Sequence, residues 1–421
     1  MAGKHTAHLA RWGGVLLVGA ISATASGCAA SSSGQGDPSL DFSLSYPVAE
    51  NSPYEVLAER YMDEHRGAKV TLNPIPAENY DSVLGSQLQG GMASDVIMVI
   101  PGAGSPVSIG SLSGAGLLAP LSGDAEDLVP DSAHSLFFVD GEMYGQPTDL
   151  SVTATIFNQA AGVQYPTSVD EMLSSCRSLS DRGIALYAVA GAIPINSGLL
   201  GLVAAAPLVY GDDPEWDAKR AAGEVTFAES SGWREAFELI IEMKDAGCFQ
   251  PGAEGGDFGA LVGSLGQGTA LGAFVPAGAA TEMAAGMPDA DIVVEPFPTR
   301  GDGAATIYSS MDYALSIPTS ATHKPAAQAF LDWFAEPEQA QAYAEAAGTL
   351  PVTGIEDFDF AGTPYEPVAD LLTAGDVVVM PVNVWTSARV FDALGSGVQG
   401  LLTGQVTVDQ LLAQLDSAWD E

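Results

Sequence analysis

The stretch Asp140–Gln159 reads D-G-E-M-Y-G-Q-P-T-D-L-S-V-T-A-T-I-F-N-Q. Its first part is turn-like. Asp140-Gly141 predicts a turn, Gly145 frees the backbone, and Pro147 fixes one φ angle and removes a donor. Its second part reads as a strand, with Val152, Ala154 and Ile156 alternating with Ser151, Thr153 and Thr155. A stiff strand leaving a Gly/Pro turn suits a chain that crosses from one lobe to another. Ligands favour the cleft between lobes, so this stretch is expected to form its back wall.

Upstream, Asp41–Tyr46 places Phe42, Leu44 and Tyr46 on one face and predicts a strand. A helix follows, with Ser52 as N-cap, Pro53 at its first position and Glu55 completing a capping box. Val70 and Leu72 mark a second strand. Ala77–Gln89 predicts a helix stopped by Gly90-Gly91. Asp95–Ile100 is a short apolar strand of the kind found inside a parallel sheet. This β-α-β-α-β order implies an α/β lobe.

Downstream, Thr167 or Ser168 caps a helix carrying Met172, Leu173, Cys176 and Leu179. Ile184–Val189 reads as a strand. Ser197–Tyr210, Trp233–Ala246 and Val408–Trp419 read as helices. No period of 20–50 residues repeats, which excludes a solenoid.

A chain of 421 residues, 47% hydrophobic and 16% charged, is large enough for two domains with substantial cores. Its net charge is -39. Such a surface repels phosphate backbones and argues against nucleic-acid binding. Its first consequence is solubility or adaptation to salt; it says less about a small ligand, because a local site can oppose the global field.

The N-terminus carries Lys4 and Arg11, then an apolar run from Gly13 to Ala25, too short to span a membrane comfortably. Ala25-Ser26-Gly27-Cys28 resembles a lipobox, in which Cys28 becomes a diacylated first mature residue. Residues 1–27 are thus expected to be a lipoprotein signal peptide. Residues 28–39, rich in Ser and Gly, are expected to be a flexible tether. The implied place is the extracellular face of the cytoplasmic membrane. Two cysteines remain, Cys176 and Cys248. In an exported chain a disulfide is the leading reading, with two buried thiols as the alternative. No metal site is expected, because His65, His134 and His323 lack ligand spacing to a cysteine.

There is no G-x-S-x-G, no H-E-x-x-H, no P-loop and no intact G-x-G-x-x-G. The pairs Asp289/Asp291 and Asp357/Asp359 arise easily among 53 acids and read as solvated surface. No motif marks catalysis or a cofactor, which argues for binding without turnover.

Several blocks carry a family resemblance in matching order. Tyr144-Gly145-Gln146-Pro147, followed by a β-rich run ending in Phe157-Asn158, resembles the hinge crossing of the extracellular solute-binding proteins of ABC importers, in the sugar-binding group. Gln87–Asp95 is similar to that family's small-Gly-x-x-Pro-Asp-Val run, with Ser94 at the place of Pro. Gly116–Leu121 resembles its G-L-L-x-x-L turn, and Gly268–Phe274 its G-x-A-A-M strand. Ala314–Pro318 with Lys324–Phe334 resembles its Ile-Pro strand and Phe-Leu helix. Gly348–Val352 resembles its G-x-x-P-V exit. The resemblance implies a two-lobed, type II periplasmic-binding-protein-like α/β fold, with a chain that crosses more than once. Lobe 1 is expected to hold residues 40–146 and 306–365, and lobe 2 residues 147–305 and 366–421. It further implies a monomer that closes on a mono- or oligosaccharide and delivers it to ABC permease subunits. A cationic or peptide-like solute is one alternative. A secreted glycan-acting enzyme is another, from a different class.

Candidate ligand residues come from strand-to-helix loops and from the crossing. They are Glu50 and Asn51 after the first strand, Gly102 after the third, and Asp149 and Ser151 in the crossing. Asn196 and Ser197 precede a helix, and Asp312 precedes the later crossing strand. Helix capping or surface exposure competes for each. Trp233 and Trp333 sit among apolar helical neighbours and are expected in the core. Trp216 and Trp385 lie in loop-like sequence, and the resemblance places Trp385 as a ligand-stacking residue.

Overall fold

The computed structural model describes residues 40–48, 52–103, 105–129, 133–278, 283, 287, 289–301, 303–385 and 387–420. Cys28, Glu50 and Asn51 lie outside the described residues.

The chain begins β1 (Phe42–Pro47), α1 (Pro53–Glu64), β2 (Val70–Ile75), α2 (Tyr80–Gln89), β3 (Val96–Val99). Then come α3 (Ile109–Gly114), β4 (Leu118–Ala119), α4 (His134–Phe137), and a small hairpin of β5 (Phe138–Val139) and β6 (Glu142–Met143). β7 (Gln146–Pro147) leads through the crossing into β8 (Ser151–Asn158). The next elements are α5 (Val169–Ser180), β9 (Ala185–Ala188), α6 (Pro194–Ala205), α7 (Trp216–Ala221), α8 (Ser231–Asp245), α9 (Phe258–Gly266) and β10 (Ala270–Pro276). β11 (Ile292–Glu295), β12 (Tyr308–Ser310), β13 (Ala314–Pro318), α10 (Lys324–Phe334), α11 (Pro337–Ala347) and α12 (Ala369–Ala374) follow. β14 (Val378–Val379), α13 (Pro381–Val384), α14 (Ala388–Thr403) and α15 (Val408–Asp420) close the chain.

These strands make two central sheets. The first runs β2-β1-β3-β13-β4, with β7 also on β13; the second runs β14-β12-β8-β10-β9, with β11 also on β8. β1, β2 and β3 are parallel, whereas β13 enters antiparallel beside β3, so the first sheet is mixed. β2 carries Pro74 and lies at the edge, where a missing donor costs no ladder bond.

The strand expected at Val152–Ile156 is β8, the centre of the second sheet. Its alternation does not separate core from solvent. Thr153 and Thr155 are as buried as Val152 and Ile156, because helices cover one face and residues 350–372 pack on the other. The chain returns to the first sheet between Ser310 and Ala314. β12, expected in lobe 1, therefore pairs with β8 and β14 in the second sheet. Phe360, Val368 and Leu372, straddling the expected boundary at 365, pack together with Val152 and Ala154.

Two local expectations are corrected. Ser52 does precede α1, but its hydroxyl makes no cap bond and is buried without a partner. Glu55 is drawn away by the Tyr46 hydroxyl, which donates to its Oε1 at 2.8 Å. The helix expected over Ser197–Tyr210 is α6 followed by one wide turn, Ala206–Tyr210. Pro207 has no N–H to continue the ladder, and Gly211 N–H reaches Ala206 O at 2.9 Å instead. The cap at Ser168 does form, with its Oγ accepting from Glu171 N–H at 3.3 Å.

The second lobe's main core joins α5, α6, α8, α14 and α15. α14 lies against the start of α6 so closely that a Cβ at Gly395 would sit 2.2 Å from Pro194 O. Only glycine allows that approach. Cys176 in α5 and Cys248 after α8 are bonded, and both are fully buried. The expected disulfide is thus present.

Candidate solute-binding cleft

Strand register brings the working edges of both sheets to one place. In the first sheet, Ala314 at the start of β13 pairs with Val99 at the end of β3 and with Pro147. In the second, Ser151 at the start of β8 pairs with Ser310 at the end of β12, and Thr153 pairs with Pro276 at the end of β10. The carboxyl ends of the parallel strands therefore surround the crossings, which is the edge where α/β sheets bind ligands.

The crossings are stitched together. Thr148 N–H donates to Tyr313 O at 3.2 Å, and Leu150 and Leu350 exchange backbone bonds of 2.8 and 3.0 Å. Asp149, Ser151 and Asp312 all lie here, as expected from the sequence. The Thr148 hydroxyl donates to Asp149 Oδ1 at 2.6 Å. Ser310 donates to Asp312 Oδ1. Asp149 is 4% exposed, and burial pushes its carboxyl up to about 6, with a further rise from the charge of Asp312.

Gly102 is also at this edge, in a left-handed conformation with φ 78°. Its N–H donates to Leu136 O at 2.8 Å, and a Cβ there would stand 3.3 Å from Asn383 O of α13. The small residue is thus required where the first lobe's loop meets the second lobe.

Four candidates have internal duties. Asn196 is fully buried; its Oδ1 accepts from Ala190 N–H at 2.8 Å and its Nδ2 donates to Phe274 O at 2.8 Å. Ser197 donates to Gly191 O at 3.0 Å. Trp216 packs on Phe227 and Trp233, with ring centroids 4.8 and 5.8 Å apart. Trp385, 8% exposed, packs on Phe227 and Trp233. These four hold the loops in place: the polar atoms of Asn196, Ser197 and Trp385 are bonded within the protein, and the rings of Trp216 and Trp385 are packed there.

Other side chains stand exposed at the same edge. Tyr313 (43% exposed) sits between β12 and β13. Ile195 and Phe258 are exposed at the starts of α6 and α9, and Val48 after β1. Helices linking parallel strands begin at the strands' carboxyl ends, so these positions face the crossings. Sequence reading passed over them because an isolated apolar residue beside a cap carries no local signal; only the strand order reveals the shared edge.

A cavity of about 450 Å³ opens between α4 and α7, lined by Ser135, Asp217, Val378 and Val384 among others. Tyr210 and Trp385 both donate to Asp217 Oδ1, each at 2.9 Å. Burial still pushes the Asp217 carboxyl up to about 7. The folded chain therefore holds this proton longer than the unfolded chain does. The contribution to stability is full below pH 4 and is lost as pH rises towards 7. Each unit of displacement corresponds to about 1.4 kcal/mol, discounted here because the carboxyl borders an open cavity. Asp217→Asn is expected to flatten the pH dependence of urea midpoints between pH 4 and 8. An unchanged slope would refute the assignment. A cavity of about 570 Å³ lies elsewhere, lined by Gln159, Ile292 and Pro364 at the opposite end of β8.

The fold and this edge define a two-lobed α/β binding protein. Residues 47–341 match the family model of bacterial extracellular solute-binding proteins, and the chain belongs to that family. Solved structures share the fold. A family 1 extracellular solute-binding protein from Bifidobacterium longum subsp. infantis is 20% identical, with TM-score 0.72 over 90% of this chain and 98% of that one. The apo form of RafE from Streptococcus pneumoniae is 19% identical, with TM-score 0.73 over 92% and 99%. The GacH receptor of Streptomyces glaucescens is 17% identical, with TM-score 0.66 over 90% and 97%. No curated protein matches this sequence. Among the described residues, no helix is long and apolar enough to cross a membrane.

Proposed function

We propose that this protein captures a carbohydrate at the crossings, where Asp312 and Tyr313 border solvent beside the buried Asp149 and Ser151, and delivers it unchanged to an ABC permease. The observation that carries the reading is the convergence of both sheets' carboxyl ends on the crossings, where hydroxyls, carboxylates and one exposed ring stand together. Such groups suit a sugar, whose hydroxyls need hydrogen bonds and whose C–H faces need an aromatic surface. Structural neighbours support the class: RafE has been solved with raffinose, GacH with acarbose, and another neighbour is a chitin oligosaccharide binding protein.

In this reading the lobes are residues 40–147 with 314–347, and 151–310 with 350–420, joined by the crossings. Cys28 carries the lipid anchor, and the tether of residues 28–39 lets a monomer reach its permease at the extracellular face of the cytoplasmic membrane. Closure is a hinge motion stabilised by solute contacts from both lobes.

The test is thermal unfolding against mono- and oligosaccharides, amino acids and polyamines. A solute at 100 times its Kd adds about 2.7 kcal/mol of stability. A shift with one sugar class and no product by chromatography is the expected result. A shift confined to polyamines or peptides would replace the solute, and turnover of a glycan would overturn the binding-protein reading.

A further inference from the structure

Asp149 occupies an unusual position for a buried acid. It lies between the two backbone ties that join the crossings: Thr148 to Tyr313 on one side, and Leu150 to Leu350 on the other. Any change of angle between the lobes must turn these same few residues. The side chain is almost fully enclosed, and its Oδ1 accepts from the hydroxyl of its neighbour Thr148.

The ionisable groups around Asp149 come from every element packed on it. α1 supplies Tyr54, α11 supplies Tyr343, the return between Ser310 and Ala314 supplies Asp312 and Tyr313, and the stretch between α11 and α12 supplies Tyr365. Tyr365 in turn donates to Gly348 O at 3.2 Å, two residues before Leu350. The tyrosines stay neutral, since burial raises each of them further. Among the described residues, no lysine or arginine acts on Asp149. A carboxylate here has a like charge nearby and no cation.

We infer that Asp149 is a proton-operated latch on the hinge. Protonated, it stays buried and holds the crossings in the arrangement seen here. Ionised, it requires water, and the backbone ties on either side of it must loosen to admit that water. The device rests on the geometry of the crossings and not on which solute is bound.

Burial pushes this carboxyl up to about 6 against an ordinary value of 3.8. If hydration restores the ordinary value, linkage makes the loosened arrangement about tenfold more populated at pH 8 than at pH 5.

Hydrogen–deuterium exchange on the whole chain tests this, with rates corrected for intrinsic pH dependence. Protection of the Thr148, Leu150 and Leu350 amides is expected to fall about tenfold from pH 5 to pH 8. Amides within α15 serve as the control and are expected to stay level. In Asp149→Asn, an isosteric neutral variant, the crossing amides are expected to show no such fall. Constant protection in the parent, or the same fall in Asp149→Asn, would overturn the latch. Should that variant not fold, Asp312→Asn decides: removing the neighbouring charge must move the midpoint of the change to lower pH, and an unmoved midpoint rejects the proposal.

Discussion

Asp95→Ala is expected to destabilise the protein by about 3–5 kcal/mol, the range for removing one partner of a buried, hydrogen-bonded charged group. Asp95 lies just before β3 and is 5% exposed. Its Oδ2 accepts from Ser43 N–H at 3.0 Å and from the Ser43 hydroxyl at 2.9 Å, both on β1. Its Oδ1 accepts from Thr322 N–H at 2.8 Å and His323 N–H at 2.9 Å, at the entry to α10. One carboxylate thus ties two strands to a helix N-terminus, where negative charge is also favoured by the helix dipole. Alanine leaves three backbone N–H groups unpaired. Asparagine should fare little better, because its amide must turn N–H towards donors.

The pH dependence gives a second check on the same residue. Burial alone would raise the Asp95 carboxyl, but the bonds from His323 and Ser43 outweigh it and hold it down at about 2. Its folded value is below its unfolded one, so its contribution is complete above pH 4 and is lost as pH falls towards 2. Denaturant unfolding of Asp95→Ala at pH 7 and pH 2 should show the gap between parent and variant closing at low pH. A loss below about 1 kcal/mol at pH 7 would show that water replaces these bonds freely.

Removing the disulfide is the other large effect. Cys176 and Cys248 are 72 residues apart in sequence. On the chain-entropy model, a bond closing a loop of that length restrains the unfolded chain by about 4 kcal/mol. The double variant Cys176→Ala/Cys248→Ala should therefore lose close to that amount in guanidinium unfolding. The parent should resist mild reductant until it unfolds, because both sulfur atoms are buried in the core between α5 and α8. A loss under about 2 kcal/mol would mean that α5 and α8 remain associated in the unfolded chain and that the bond restrains little.

Much of this protein was legible in the sequence because local chemistry carried it. Pro147 and the β-branched run after it marked the first crossing. Gln87–Asp95 carried the family's run before the third strand, and glycines stopped a helix where the backbone had to turn left-handed, as Gly91 does after α2. The α/β class, the cysteine pair and the family follow from such signals. The return crossing was misplaced by a few residues, since Tyr308–Ser310 could have joined either sheet by its own preferences and is held by pairing with β8. Ser52 and Glu55 had the spacing of a capping box, yet Tyr46 competes for Glu55 from another strand.

The site divides the same way. Asp149, Ser151 and Asp312 could be placed at the crossings because the crossing itself was readable. Asn196 and Trp385 looked like ligand groups in a loop. Tertiary packing commits the first to the Ala190 and Phe274 backbone and the second to Asp217 and an aromatic core. Tyr313, Ile195 and Phe258 were silent in sequence and share an edge only through strand order. The sequence by itself determined where the chain turns, which segments are helical or extended, and which family it joins, because these depend on contacts within a few residues. Only the tertiary structure decided which polar groups remain free for a solute, because a donor's availability depends on partners brought from tens or hundreds of residues away.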